Sequence, residues 1–303
     1  MNFESLFDQK GIVGKGFNFY EKCIRFAHVK QEGELFHVLD LQELPLANPD
    51  KVFMQMTLKK LGIDQKDLLA TSLDDKNLIM RKLFSPPIAK NELLESLRFQ
   101  FLEETQNNQQ NVEIRYDKLL EENEDGLQAF MVYGLGHEQV ENLRDFYAGL
   151  GLRVVAAEPL ASSLASMLEL INPAPEKTRG MFYKEGGRIL FAGIRGDQML
   201  ACKSFGGVHS DGEEVRGDWM IEFQQAIDEF LVQEKLSMLD EAVLVGHWGD
   251  EDKQKILMTL GISCKQLNEV EIPQFVFAIP ELKSKFLEFL PEISLALFPK
   301  ANI

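Results

Sequence analysis

Residues 180–207, GMFYKEGGRILFAGIRGDQMLACKSFGG, read as three strands joined by two tight turns. Apolar and β-prone residues fill MFYK, RILFAGIR and MLACKSF, while the turns fall at Glu185-Gly186-Gly187 and Gly196-Asp197-Gln198. Glycine between β-rich runs is the usual hairpin signal. Two readings of the first turn stand side by side. The backbone N–H groups of a Gly-Gly strand-to-strand turn can cradle a phosphate. Gly-Gly is also a common turn dipeptide that holds nothing, and the plain turn is the preferred reading of Gly186-Gly187.

A second copy of this pattern lies near the start of the chain. Residues 24–41, IRFAHVKQEGELFHVLDL, align with residues 189–204, ILFAGIRGDQMLACKS. Phe26-Ala27 falls on Phe191-Ala192 and Val29-Lys30 on Ile194-Arg195, with two extra residues in the first turn. Glycine-containing segments, GKGFNFYEK and MFYKEGG, precede the two copies, and a break at residues 172–177 separates them. An internal repeat of this kind predicts two lobes built on one plan. Lobe one spans 1–176 and lobe two 177–303. Lone strands alternating with helices elsewhere make the class α/β.

The rest of the chain fills in this plan. DKVFMQMTLKKLG predicts a helix that stops at Gly62. DLLATSL and NLIMRKLF predict a hairpin around Asp74-Asp75-Lys76. KNELLESLRFQFLEET carries Leu93, Leu97 and Phe101 at helical spacing, with Asn91 as candidate N-cap. EENED, residues 121–125, reads as a charged loop. Residues from about 50 to 150 interrupt the first lobe and contain an inserted subdomain.

Composition excludes several function classes. At a formal net charge of −16 over 303 residues, the chain is repelled by phosphodiester backbones and anionic lipid, so no nucleic-acid partner is expected. Cys23, Cys202 and Cys264 lie far apart among apolar residues and read as buried free thiols. The N-terminus lacks a basic region followed by an apolar one, and no stretch approaches the ~18 apolar residues of a spanning helix. Direct membrane insertion is not expected. His209-Ser210-Asp211 has triad letters, but a triad needs spatial neighbours. His37, His137 and His247 lack ligand spacing, so no metal is expected. The two Arg-Gly-Asp triplets, 195–197 and 216–218, read as turns, and GDEDK at 249–253 as an acid-rich helix start.

Several segments together resemble a known family. In SLDDKNLIMRKLFSPPIAKNELLESLRFQFLEE, Arg81, Pro86-Pro87 and Glu92-Leu93 hold the places of a hairpin arginine, a Leu-Pro step and a helix-opening Glu-Leu. FMVYGLGHEQVENLRDFYAGLGLRVVAAEPLASSLA follows the same family's strand, helix, strand, acid-containing turn and helix. LPEISLALF matches its C-terminal segment, with Ser294 in place of glycine. These resemble the PilM-like type IV pilus assembly proteins and, more distantly, the GspL cytoplasmic domain of type II secretion, within the actin-like ATPases. The resemblance implies a two-lobed actin-like (ribonuclease H-like duplicated) α/β fold with an inserted subdomain in the first lobe.

It also implies where a nucleotide would sit and what has been lost there. Active members carry an Asp-x-Gly near the start of each lobe. Along the repeat, Asn18 and Tyr20 occupy the first motif and Tyr183 and Glu185 the second. Tyr20 would fill phosphate space, and Glu185 would repel phosphate. The glycine-rich adenosine loop is replaced by LVGHWGDED, with His247-Trp248 between Gly246 and Gly249. No catalytic residue and no cofactor are therefore expected, and these six positions read as vestigial. The implied function is a non-catalytic scaffold, cytoplasmic and peripheral to the inner membrane. Its implied partners are the cytoplasmic tail of an inner-membrane PilN-like protein and an assembly ATPase. The alternative is an actin-like nucleotide-binding ATPase with unusual phosphate loops.

Overall fold

A computed structural model describes residues 13–20, 22–46, 50–73, 78–105, 112–185, 188–205, 219–261, 264–267 and 272–297. The chain divides into two compact units, one of residues 1–75 with 147–303 and the other of residues 76–146.

The larger unit contains two sheets of matching topology. In the first, β1 (Val13–Phe19), β2 (Cys23–Glu32) and β3 (Leu35–Pro45) form an antiparallel meander. Helix α1 (Lys51–Lys60) then returns the chain to β4 (Leu69–Leu73), which pairs parallel with β1. The side chain of Asp50 caps α1 by accepting from the Phe53 amide at 2.9 Å. Strand β8 (Val154–Pro159) pairs parallel with β4. In the second sheet, β9 (Thr178–Glu185), β10 (Arg188–Arg195) and β11 (Gln198–Phe205) form the meander. Strands β12 (Glu241–Gly246) and β13 (Cys264–Gln266) add on parallel.

Strand register establishes the repeat that the sequence suggests. Phe26 pairs with Phe17, and its counterpart Phe191 pairs with Phe182. The β2–β3 ladder shifts register between His28 and Val29, and the β10–β11 ladder between Gly193 and Ile194. By the Phe26–Phe191 alignment these are the same position. A shared bulge is a specific backbone feature, and two unrelated meanders would not be expected to place it alike.

The lobes are not two successive halves of the chain. Strand β14 (Phe275–Phe277) pairs with β3, giving the first sheet the order β14-β3-β2-β1-β4-β8. Two helices also change sides. Helix α4 (Leu160–Ile171) follows β8 but packs on β10 and β11 of the second sheet. Arg179, fully buried on β9, anchors its end by donating to Glu169 and to the Asn172 carbonyl, both at 2.7 Å. Helix α8 (Leu290–Leu297) ends the described chain and packs on β1, β2 and β4 of the first sheet. The two helices pack together, with the Ser294 and Ser163 hydroxyls 3.1 Å apart.

The approach of α8 to β1 is close. A Cβ on Gly16 would lie 2.0 Å from the Glu292 carbonyl oxygen, and one on Gly14 would lie 2.1 Å from that of Ala296. Only glycine lets the helix backbone sit there. On the second sheet, α5 (Trp219–Gln233) instead contributes side chains. Phe223 packs against Phe182 at a centroid distance of 4.9 Å, and Phe230 against Phe191 at 5.8 Å. Helix α6 (Asp250–Leu260) packs on β13, and α7 (Pro280–Lys285) packs on β3 and β14.

The smaller unit has its own core. β5 (Ile79–Ser85), β6 (Val112–Glu122) and β7 (Gln128–Gly136) form an antiparallel sheet in the order β5-β7-β6. Helix α2 (Lys90–Glu104) places Leu97 and Phe101 against Leu83, Val112, Ile114, Phe130 and Val132. The i, i+4 spacing read from the sequence therefore marks the buried face. Helix α3 (His137–Leu150) starts in this unit and ends in the larger one.

Three local expectations need correction. β4 and β5 do not form a hairpin, because β4 takes β1 and β8 as partners while β5 takes β7. The turn expected at Asp74-Asp75-Lys76 lies outside the described residues. The N-cap of α2 is Ala89 rather than Asn91, with no side-chain cap bond. Glu121 and Glu122 extend β6, so the charged loop is shorter, with the Asn123 side chain accepting from the amides of Asp125 and Leu127.

The α8 contact sets an expectation for stability. Gly16→Ala should destabilise the fold by about 3 kcal/mol or more, since backbone rather than a movable side chain fills the space. Gly249→Ala, whose Cβ would meet nothing nearer than the Asp252 carboxylate at 3.8 Å, should cost less than about 1 kcal/mol. Urea denaturation of both variants checks the contrast, and equal losses would overturn it.

Candidate functional site

Four of the six positions singled out in the sequence meet where the two sheets face each other. β1 ends at Asn18 and Phe19, β9 ends at Glu185, and α8 places Glu292 beneath them. Asn18 donates its amide to Glu292 Oε1 at 2.8 Å. Its carbonyl accepts from the Ser72 amide at 3.1 Å and the Ser72 hydroxyl at 2.7 Å, at the end of β4. The Tyr20 hydroxyl donates to the same Glu292 oxygen at 2.8 Å and also interacts with Tyr183 across the cleft.

Arg25 joins these groups. Its Nε lies 2.5 Å from Glu43, its cross-strand partner on β3, and one terminal nitrogen lies 2.9 Å from Glu185 on the second sheet. The other terminal nitrogen is 3.3 Å from Glu288. The guanidinium also lies over the Tyr20 ring, 5.1 Å from its centroid, and the Phe289 ring at 5.6 Å. His247 Nδ1 is 3.5 Å from the second Glu185 oxygen.

Burial decides the electrostatics. Glu292 is fully buried, and loss of solvent pushes its carboxyl up to about 7, against the opposing pull of the Asn18 and Tyr20 hydrogen bonds and the Arg25 charge. Burial pushes the Tyr20 phenol well above its ordinary value, and Glu292 adds to this. For Arg25, burial pulls down, but the Glu43 hydrogen bond and the Glu185 charge outweigh it and raise the pKa above its ordinary value.

The two remaining positions have other local roles. Gly246 sits at φ +87°, and a Cβ there would fall 2.3 Å from the Lys184 carbonyl oxygen, so the turn after β12 requires glycine. Gly249 is the N-cap of α6, whose first turn carries Asp250, Glu251 and Asp252. Trp248 folds back between them, 5% exposed, donating to the Val245 carbonyl at 2.9 Å. Lys184 lies over its ring and pairs with Asp252.

The remaining candidates fall elsewhere. Gly186-Gly187, His209-Ser210-Asp211 and the triplet at 216–218 lie outside the described residues. Arg195-Gly196-Asp197 is the β10–β11 turn, with Gly196 at φ +57°. His137 pairs with Glu113 at 3.0 Å. Among the described residues no three His, Cys, Asp or Glu side chains are grouped to hold a metal. Cys23, Cys202 and Cys264 form no disulfide and are only partly buried, a correction to the buried reading. Burial pushes the Cys23 thiol up to about 11 and raises Cys264, so neither is poised as a thiolate.

Sequence reading missed Arg25, Glu43, Glu288 and Glu292. The signals were modest but present: Arg25 is a charge inside the apolar run CIRFAHV, and Glu292 the lone acid in LPEISLAL.

The matching sheet orders, the parallel fourth strands and the exchanged helices define the two-lobed actin-like fold. Its structural neighbours agree. A chain of the PilM-PilN type IV pilus biogenesis complex is similar at a TM-score of 0.73 and 16% identity, over 95% of this chain and 98% of that one. The cytoplasmic domain of EpsL, an inner-membrane component of the Vibrio cholerae type II secretion system, is similar at a TM-score of 0.50 and 12% identity, over 91% and 94%. No family model matches the chain, and no curated protein sequence matches it.

The buried carboxyl gives a pH signature. Raised from 4.5 to about 7 in the fold, Glu292 binds its proton more tightly folded than unfolded. Its contribution is full below about pH 4.5 and is lost as pH rises through about 7. Glu292→Gln should remove this component, so the wild-type-minus-variant stability difference should fall by up to about 3 kcal/mol between those limits. Chemical denaturation of both proteins from pH 4 to 8 checks it. A difference that does not vary with pH would overturn it.

Proposed function

We propose that this chain is a non-catalytic scaffold of a type IV pilus or type II secretion-like assembly. It works in the cytoplasm beside the inner membrane, holding the cytoplasmic tail of a PilN-like membrane protein, with an assembly ATPase as a further partner. No described helix is long and apolar enough to cross a membrane; in this reading the tail supplies the attachment. Likeness in fold to a chain of the PilM-PilN complex over nearly the full length supports this reading.

One observation carries the non-catalytic half. The positions where the family resemblance puts two phosphate-binding Asp-x-Gly motifs are committed to protein groups. Asn18 and Tyr20 are spent on Glu292, and Glu185 is spent on Arg25. A polyphosphate entering here would have to break a buried ion pair and then face Glu185 and Glu292. Breaking one side of such a pair typically costs about 3–5 kcal/mol. Titration calorimetry with millimolar Mg-ATP should show no saturable heat. A micromolar dissociation constant, or nucleotide retained through purification, would favour the ATPase alternative.

The tail is expected to be short, amphipathic and net basic, and to bind the smaller unit. Apolar anchors would supply affinity and opposite charge mainly the encounter rate. Phe99 on α2 is 71% exposed, and in the larger unit Met258 on α6 is 82% exposed. Phe99→Glu should weaken tail binding about tenfold or more, while Met258→Glu leaves it unchanged. High salt should weaken binding only modestly through screening. Pull-down and titration with tails of neighbouring membrane proteins check this. Binding that vanishes with salt and ignores the apolar anchors would overturn the mechanism.

A further inference from the structure

The two sheets of the larger unit are joined by contacts of two kinds. One is the packed crossing of α4 and α8, where Ser163 meets Ser294 at 3.1 Å and the α8 backbone at Glu292 and Ala296 lies against Gly16 and Gly14. The other is polar, at the strand ends, and centres on one cation. Arg25 on the first sheet reaches Glu185 on the second at 2.9 Å, with side-chain exposures of only 9% and 12%. Glu43 and Glu288 lie against the same guanidinium at 2.5 and 3.3 Å, and the Glu292 charge acts on it as well.

We propose that Arg25 is a latch, closing the two lobes onto each other about the α4–α8 crossing as pivot. The arrangement favours two discrete states over a graded one. With Arg25 inserted, a single guanidinium neutralises acids drawn from both lobes; its contact with Glu185 is largely cut off from water and little screened, while the Glu43 and Glu288 side chains stay 43% and 40% exposed. With Arg25 withdrawn, Glu43, Glu185 and Glu288 are left facing one another, and their repulsion drives the lobes apart until water enters. Closure thus comes from the chain's own residues and requires no bound ligand. An arginine suits the role because its planar fork can address three carboxylates at once, which a lysine ammonium on a flexible stem does less well.

Hydrogen exchange on the full chain, with neither nucleotide nor tail present, tests the latch separately from the scaffold reading. Reporter amides lie on both sides of the cleft. Ser72 N–H is held by Asn18, and Tyr20 N–H by the Cys23 carbonyl, in the first lobe. His247 N–H is held by the Lys184 carbonyl in the second. Glu185→Leu, made in the second lobe, should speed exchange at Ser72 and Tyr20 by about tenfold or more. Arg25→Leu, made in the first, should do the same at His247. The double variant should add little to either single, as coupled partners require. Amides of the β10–β11 ladder should keep wild-type protection throughout. Changes confined to the mutated lobe, or single effects that simply add, would overturn the latch. Should a leucine variant fail to fold, Glu185→Gln, which preserves shape and an acceptor, carries the same cross-cleft readout. Unchanged exchange at Ser72 and Tyr20 in that variant would equally overturn the proposal.

Discussion

The backbone of helix α8 lies directly on β1, with carbonyl oxygens about where the side chains of Gly14 and Gly16 would begin. Much of the larger unit depends on this approach. It brings the end of the described chain back to its first strand and gives the first sheet a helix that the second lobe supplies. It also sets Glu292 under Asn18 and Tyr20. A side chain on either glycine would lift the helix and remove the floor of the cleft. The reciprocal element is α4, which leaves the first sheet to cover the second and is fastened there by the buried Arg179. Exchanging helices makes each lobe incomplete without the other, so the pair behaves as one compact unit despite its two sheets.

The same geometry accounts for the chemistry of the cleft. A chain with 48 acidic and 32 basic residues has cations to spare at few places, and here one arginine serves acids from both lobes. Glu292, deeper and dry, relieves its own burial by holding its proton more tightly rather than by taking a full counter-charge. Its neighbours donate hydrogen bonds to one of its oxygens, leaving a small polar network closed to solvent. The result is a site whose polar groups are mostly spent on one another, with the second Glu292 oxygen left buried and without a hydrogen bond among the described residues. It contrasts with a ligand pocket, which keeps a few polar groups convergent and unspent.

The smaller unit follows simpler rules. One amphipathic helix over a three-stranded antiparallel sheet is close to the minimum that can bury a core of its own. Its spacing of Leu93, Leu97 and Phe101 was readable because the 3.6-residue period puts those positions on one face. The strands were harder. β6 runs through RYDKLLEE without a clean charged–apolar alternation, and its charge obscures a strand that pairs with β7 from Val112 to Lys118 and again at Glu122.

What the sequence determined by itself was the duplication. Phe26-Ala27 and Phe191-Ala192 recur in strands of like pattern because each must bury the same face of the same meander, and the register and shared bulge follow from that. Asn18, Tyr20, Tyr183 and Glu185, which the family resemblance marked along the repeat, lie at one place, since equivalent strand ends of a duplicated fold face each other. Strand pairing was decided only by the tertiary structure. DLLATSL and NLIMRKLF look like two arms of a hairpin, yet each finds its partner far along the chain, because a β pattern specifies a buried face and not a neighbour. The role of Arg25 was likewise invisible, although its residue type and strand were in plain view. Its carboxylates come from β3, β9 and the segment before α8, brought within a few ångströms only when the exchanged helices draw the two sheets together.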